Sequence, residues 1–190
     1  ELENVFQQVK ELEKESAPLS HSVATKQRVP YNLQTAISAE RLEEIGDAFI
    51  NVPEGFSVHP RVKPILESRY RMTREGKVDW AMAELLSWGS LLQEGRDIRI
   101  AGEDSCRGTF TQRHAIIVDR KNSNIYSPLR AIAQTHGGHF DIYNSSLSEF
   151  AGLGVEYGYS VAHTDALVCW EAHRQWCINY CRRVRFLRGG

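Results

Sequence analysis

Apolar positions recur at helical spacing over several stretches of this chain and alternate at strand spacing over others, with turn-forming residues between them. From Glu1 to Glu15, Leu2, Val5, Phe6, Val9 and Leu12 fall on one face and predict an amphipathic packing helix. Ser16 to Pro30 is polar and aperiodic and reads as a linker. A second helix is expected after the cap at Ser38, reaching Ile50 and ending before the turn Pro53-Glu54-Gly55. A third starts at His59-Pro60 and runs toward Arg74, with Val62, Ile65, Leu66 and Tyr70 facing inward. Gly76 breaks it, and Asp79 caps a strongly apolar helix from Trp80 to Gln93. Its stripe of Trp80, Met82, Leu85, Leu86, Trp88, Leu91 and Leu92 reads as core.

Strand spacing follows. Arg96 to Ala101 is predicted as the first strand, with Gly102-Glu103-Asp104 as the loop at its carboxyl end. Arg107, Gly108, Thr109 and Phe110 lie on an irregular segment, and HAIIVDR from His114 to Arg120 is expected as a second, buried strand. A short helix runs from Tyr126 to Ala133, and His139 to Tyr143 alternates like a strand. Asn144, Ser145 and Ser146 break that pattern, and Ser148 caps a helix from Glu149 to about Val161. Small residues (Ala151, Gly152, Gly154, Gly158) on that helix suit close packing against a sheet. His163 to Asp165 is a loop, and ALVCW from Ala166 is a buried strand nearly parallel to the preceding one. The whole predicts an α/β fold, a helical lead-in followed by a mostly parallel sheet with flanking helices. Glu149 then stands at a strand-to-helix junction on the carboxyl edge of the sheet, where open α/β sheets place ligands.

Composition narrows the partners. The 190 residues suffice for one domain or one and part of another, and a formal charge of −1 gives no basic footprint for nucleic acid or anionic membrane. No apolar run approaches the roughly 20 residues that span a bilayer. Four cysteines at irregular spacing read as reduced thiols of a cytoplasmic protein. The first residue is Glu1, not methionine, and the chain is therefore expected to be a fragment.

Candidate chemistry clusters on the predicted ligand edge. Acids, arginines and a histidine (Glu103, Asp104, Arg107, Arg113, His114) suit an anionic dicarboxylate or a diphosphate, because guanidinium groups pair bidentately with such anions and imidazole moves protons near neutrality. A salt-bridged loop brace, Arg107 with Glu103 or Asp104, fits equally well. His59 is a lesser candidate. His136-Gly137-Gly138-His139 invites a metal reading but has no third ligand at suitable spacing and reads as a turn, so no metal site is expected. Glu156 reads as structural.

The blocks SLSEFAGLGVEYGYS with ALVCWEA, IRIAGEDSCRGTFTQRHAIIVDR, and IYSPL together carry a resemblance. They are similar to the pyrimidine-binding domain of the thiamine diphosphate-dependent decarboxylating first component of 2-oxoglutarate dehydrogenase. The lead-in, AISAERLEEIGDAFINVPEGFSVHPRV and VDWAMAELLSWGSLLQEG, resembles its actinobacterial form. The likeness covers nearly all of Glu1 to Ala172 and implies a helical lead-in at residues 1–76 and a partial pyrimidine-binding domain at residues 77–172. It implies that Glu149, with Leu147 beside it, binds thiamine diphosphate, the Glu149 carboxyl bonding a pyrimidine ring nitrogen and holding a proton that burial against Leu147 and Phe150 would favour. Arg107 and His114 belong to the active-site loop. The implied activity is decarboxylation of 2-oxoglutarate, a step of the tricarboxylic acid cycle, with succinyl transfer to lipoyl-lysine on the succinyltransferase component. Mg would be held by a separate diphosphate domain, and the parent would be a homodimer with the cofactor between subunits. A 2-oxoadipate enzyme is the near alternative, and a non-enzymatic binding module with a basic, Cys-containing tail the distant one.

After Ala172 the resemblance breaks. Residues 173–190, HRQWCINYCRRVRFLRGG, replace the family's QFGDF, NGAQ-like and IIDEF-like stretches. His173, Cys177 and Cys181 offer a zinc spacing without a fourth ligand or a paired C-x-x-C knuckle. Arg174 to Arg188 admits a coding sequence that, read one base later, gives GNGASIIVDEFVSC, close to the missing stretch. An out-of-frame tail is therefore expected, and the polypeptide alone is expected to be inactive. Sequencing the gene through the Ala172 codon tests this: a one-base shift should restore the DEF-like residues, whereas a single sound frame in independent clones would refute it.

Overall fold

The computed structural model describes residues 34–172, together with Glu3, Gln7 and Glu11, which are helical and exposed. The rest of the expected first helix, the linker, and the tail with His173, Cys177 and Cys181 lie outside the described residues. The chain divides into two compact units, Glu1–Ala36 and Ile37–Gly190, and every element named below belongs to the second.

Three helices lead in. Helix α1 (Ala39–Ile50) begins at Ser38, whose hydroxyl is engaged by the Glu40 carboxylate and makes no bond to the first-turn backbone. Helix α2 (Lys63–Glu75) starts only after a turn at residues 60–62 and is closed by Gly76, whose left-handed φ of 74° suits a residue without Cβ. Helix α3 (Trp80–Gln93) is capped by Asp79, whose Oδ1 accepts from the Met82 N–H at 2.7 Å. The helices meet where side chains vanish. A Cβ on Gly46 of α1 would lie 2.3 Å from Thr73 Oγ1 of α2, and one on Gly89 of α3 would lie 2.7 Å from Ile45. Met82, Leu85, Leu86 and Leu92 are buried, but Trp80 is 93% exposed, contrary to its expected place in the core. It sits in the first turn, on the side of the helix away from Gly89 and Ile45.

Strand β1 (Ile98–Gly102) is the centre of a three-stranded sheet, flanked by β4 (Phe140–Asn144) and β5 (Leu167–Glu171), both parallel to it. The sheet is thus parallel throughout. Between β1 and β4 the chain forms β2 (Ile117–Val118) and β3 (Ile125–Tyr126), a two-residue antiparallel ribbon, and α4 (Pro128–His136), capped by Ser127. HAIIVDR is therefore not a buried strand of the main sheet. Only Ile117 and Val118 pair, Val118 is exposed, and Asp119 folds the chain back by accepting N–H bonds from Lys121 and Ser57. A short apolar run cannot by itself reveal whether it joins a sheet or only covers one.

Helix α5 (Glu149–Ala162) returns the chain to β5. It lies close on that strand at Gly152, where an added Cβ would meet Trp170 Nε1 at 3.2 Å. Glu156 is buried and pairs bidentately with Arg99 of β1 at 2.8 and 3.0 Å, the structural role expected of it. Strand β5 is half-buried rather than buried, because among the described residues it has one strand neighbour and is an edge. The core joins Ile45, Phe49, Leu66, Met82, Leu85 and Leu92 of the lead-in to Ile98 and Ile100 of β1, Leu129 of α4 and Phe140 of β4. His136-Gly137-Gly138-His139 is the turn after α4, and no metal-binding cluster is present among the described residues. Leu85→Ala should cost about 2–5 kcal/mol through the cavity it leaves, and Trp80→Ala should stay within about 0.5 kcal/mol of wild type, both read by urea denaturation.

Candidate functional site at the carboxyl edge of the sheet

Parallel strands bring their carboxyl ends to one edge. The register sets Gly102 of β1 between Asn144 of β4 and Glu171 of β5. What these residues lead into is therefore gathered at that edge: the loop 103–114, the turn 145–148 with Glu149, and Glu171 itself. The loops are stitched together. Ser145 N–H donates to Gly102 O at 2.6 Å, and Cys106 N–H donates to the Asn144 side-chain oxygen at 2.9 Å. Gly102 must be glycine here, because a Cβ would stand 2.6 Å from the Glu171 carbonyl and 2.7 Å from Ser105 Oγ.

Glu149 occupies the first position of α5, after Ser148, whose Oγ accepts from Ala151 N–H at 3.4 Å. A helix start favours a carboxylate there through its unpaired N–H groups. Glu149 is half-buried, but Leu147 is exposed and Phe150 is 79% exposed. The expected apolar burial of Glu149 by these two neighbours is thus not supplied within this chain; both present apolar surface outward beside the carboxylate.

Arg107 pairs with Asp104 at 2.7 Å, so the loop-brace alternative is realised, with Asp104 as partner. Its carbonyl accepts from Arg113 N–H at 2.8 Å and from His114 N–H at 3.1 Å, which closes the loop on itself and brings Arg107 and His114 together. His114 is 8% exposed, has a left-handed φ of 45°, and its Nε2 has no hydrogen-bond partner among the described residues. Burial first, then the positive charges of Arg69 and Arg107, pushes the imidazole below its ordinary range and keeps it neutral. His59 is exposed, its Nδ1 accepting from Arg61 N–H at 3.2 Å.

Sequence reasoning placed Arg113 in this loop but not its burial or its partners; it is 2% exposed. Its guanidinium donates to both Glu84 oxygens at 2.6 and 3.0 Å, to both Glu171 oxygens at 2.5 and 2.7 Å, and to Ser105 O at 2.8 Å, and lies over the Trp88 ring. Ser105 Oγ donates to Glu171 at 2.6 Å. Burial opposes the charge on Arg113, but the hydrogen bonds and charges of Glu84 and Glu171 outweigh it and hold its pKa above the ordinary arginine value. Burial would raise the Glu171 pKa, yet bonds from Arg113 and Ser105 leave it lowered. One trace of this cluster was available beforehand: Glu84 is the single charged residue of α3.

The sequence profile of the transketolase pyrimidine binding domain matches residues 76–183. The multifunctional 2-oxoglutarate metabolism enzyme of Mycobacterium sp. (strain JLS) is 52% identical over 177 residues, covering 90% of this chain and 14% of that protein. The 2-oxoglutarate dehydrogenase E1/E2 component of Corynebacterium glutamicum is 49% identical over 174 residues, with the same coverage of 90% and 14%. The chain thus spans a small part of the relatives it matches.

The neutral, buried His114 has a consequence for stability. The unfolded chain binds a proton at the ordinary value of 6.5 and the folded one only at lower pH. The unfolded state therefore holds more protons in that window, and stability should fall as pH drops below 6.5 until the folded imidazole also titrates. Urea midpoints across the acid range should show that His114→Gln removes this component; an unchanged profile would contradict it.

Proposed function

Because the chain belongs to the transketolase pyrimidine binding domain family, we propose that it is part of the decarboxylating component of a 2-oxoglutarate dehydrogenase acting with thiamine diphosphate. The observation that carries the reading is Glu149 at the start of α5, on the carboxyl edge of a parallel sheet, with Leu147 and Phe150 exposed beside it. A carboxyl group flanked by apolar surface fits an aminopyrimidine ring, which offers a ring nitrogen at its edge and a hydrophobic face. Thiamine diphosphate supplies the carbon nucleophile that permits loss of carbon dioxide from a 2-oxo acid. In this proposal Glu149 orients the pyrimidine and holds a proton at its ring nitrogen, and Leu147 lies against the ring.

Arg107 and His114 are assigned to the active-site loop. A neutral imidazole whose Nε2 has no hydrogen-bond partner among the described residues can accept or donate a proton there, and Arg107, through its carbonyl and its pairing with Asp104, keeps the loop folded. Residues 1–76 are proposed as the helical lead-in, 77–172 as part of the pyrimidine-binding domain, and 173–190 as an out-of-frame tail, although the profile match runs on to residue 183. Mg belongs to the diphosphate domain of the parent. The proposed substrate is 2-oxoglutarate, in the tricarboxylic acid cycle of the cytoplasm, and the acceptor is the lipoyl-bearing succinyltransferase component; the relatives' names favour 2-oxoglutarate over 2-oxoadipate. A homodimer is supported by the exposed Phe150, Tyr157 and Val161, which share one face of α5 and make an apolar surface of the kind that subunit contacts cover. Among the described residues no helix is long and apolar enough to cross a membrane.

In the intact parent, Glu149→Gln should lower the decarboxylation rate by roughly 100-fold or more while leaving the circular dichroism spectrum unchanged. A rate within a few-fold of wild type would overturn the assignment.

A further inference from the structure

A buried arginine from ahead of the segment matched by the domain profile reaches into the candidate site. Arg69 lies on α2, ahead of residue 76, and is 3% exposed. Burying a guanidinium is costly unless its donors are met. Among the described residues Arg69 forms no salt bridge; its Nη2 donates to the carbonyl of Gln112 at 2.7 Å and to the carbonyl of Arg113, and its Cζ lies 5.1 Å from the centre of the buried Phe49 ring. Nη1 has no partner. Desolvation lowers the Arg69 pKa to about 10, against the opposing charges of Asp79 and Glu84, so the side chain stays cationic at neutral pH.

The two carbonyls belong to the peptides immediately before His114. The peptide joining Arg113 to His114 is therefore held on both sides, its C=O by Arg69 and its N–H by the Arg107 carbonyl at 3.1 Å. The next peptide is held as well, since Ala115 N–H donates to Cys106 O at 2.9 Å. With the planes before and after it pinned, His114 has little choice of φ and ψ. It takes a left-handed conformation that an L-residue rarely adopts, and such strain persists only where the surroundings over-determine it.

We propose that Arg69 is a positioning residue for His114: by gripping the Gln112 and Arg113 carbonyls it fixes the left-handed backbone that directs the imidazole at the carboxyl edge of the sheet. The proposal rests on the reading of His114 as a site residue. It extends the candidate site to the helical lead-in, so the residues that shape the site begin before the family-matched segment. The grip also places a positive charge near the imidazole from α2, in addition to Arg107 from the loop, while the Thr111 backbone acts in the opposite sense.

The test is nuclear magnetic resonance of the full chain without substrate, with His114 assigned by comparison with His114→Gln. Arg69→Met removes both grip and charge. Its His114 backbone shifts and three-bond HN–Hα coupling should leave their left-handed values, and its imidazole midpoint should move up. Arg69→Lys keeps the charge on a side chain one atom shorter and without the fork. It should also lose the left-handed signature, with a midpoint closer to wild type. If both variants keep that signature and only thermal stability falls, Arg69 is a packing residue and the proposal fails. If Arg69→Met does not fold, the signature in Arg69→Lys decides alone. The catalytic reading fails separately: His114→Gln with undiminished decarboxylation in the parent would remove the site role and leave the geometry intact.

Discussion

A buried guanidinium needs its donors met, and around Arg113, where carboxylates meet them, this requirement joins a helix, a sheet edge and a loop. Glu84 comes from the apolar helix α3, Glu171 from the end of β5, and Ser105 from the loop after β1. Removing Glu84 and Glu171 together would leave the buried Arg113 charge unanswered, at a cost of roughly 3–5 kcal/mol. The cluster therefore holds helix, sheet edge and loop in one arrangement. It also holds β5 at its carboxyl end, where strand pairing alone is weakest because β5 is a sheet edge.

The site's other residues depend on that arrangement. With the loop anchored by Arg113, the peptides around His114 are pinned by Arg107, Arg69 and Cys106, and the imidazole is buried and neutral. Glu149 is placed differently. It depends on the turn after β4, where Ser145 bonds Gly102 across the strand ends and Ser148 caps α5. Two mechanisms, an ion cluster and a helix cap, thus serve one edge. The first is buried and stiff; the second lies beside exposed apolar side chains that a second surface can cover.

Much of this was legible beforehand because it rests on local physics. Asp79 and Ser148 announce helix starts, since short polar side chains satisfy first-turn N–H groups, whereas the helix expected from Tyr126 starts at Pro128 after its Ser127 cap. Alternation in His139 to Tyr143 announces a strand, and the strand–turn–helix order places Glu149 at the carboxyl edge of the sheet. The structural role of Glu156 was likewise foreseen. Errors arose where context decides. Trp80 has the composition of core but the phase of solvent, and HAIIVDR has the composition of a strand but is turned away at His114 and Asp119.

Periodicity, capping residues and the joined motifs by themselves determined the helices, the parallel α/β class, the family and the location of Glu149, because these depend on neighbours within a few positions. Only the tertiary structure decided that Arg113 is the anchor, that Arg69 holds the peptides before His114, and that Leu147 and Phe150 stand exposed. Burial of charge and its compensation involve partners as far apart as Arg113 and Glu171, separated by 58 positions, and no local pattern records such a pairing.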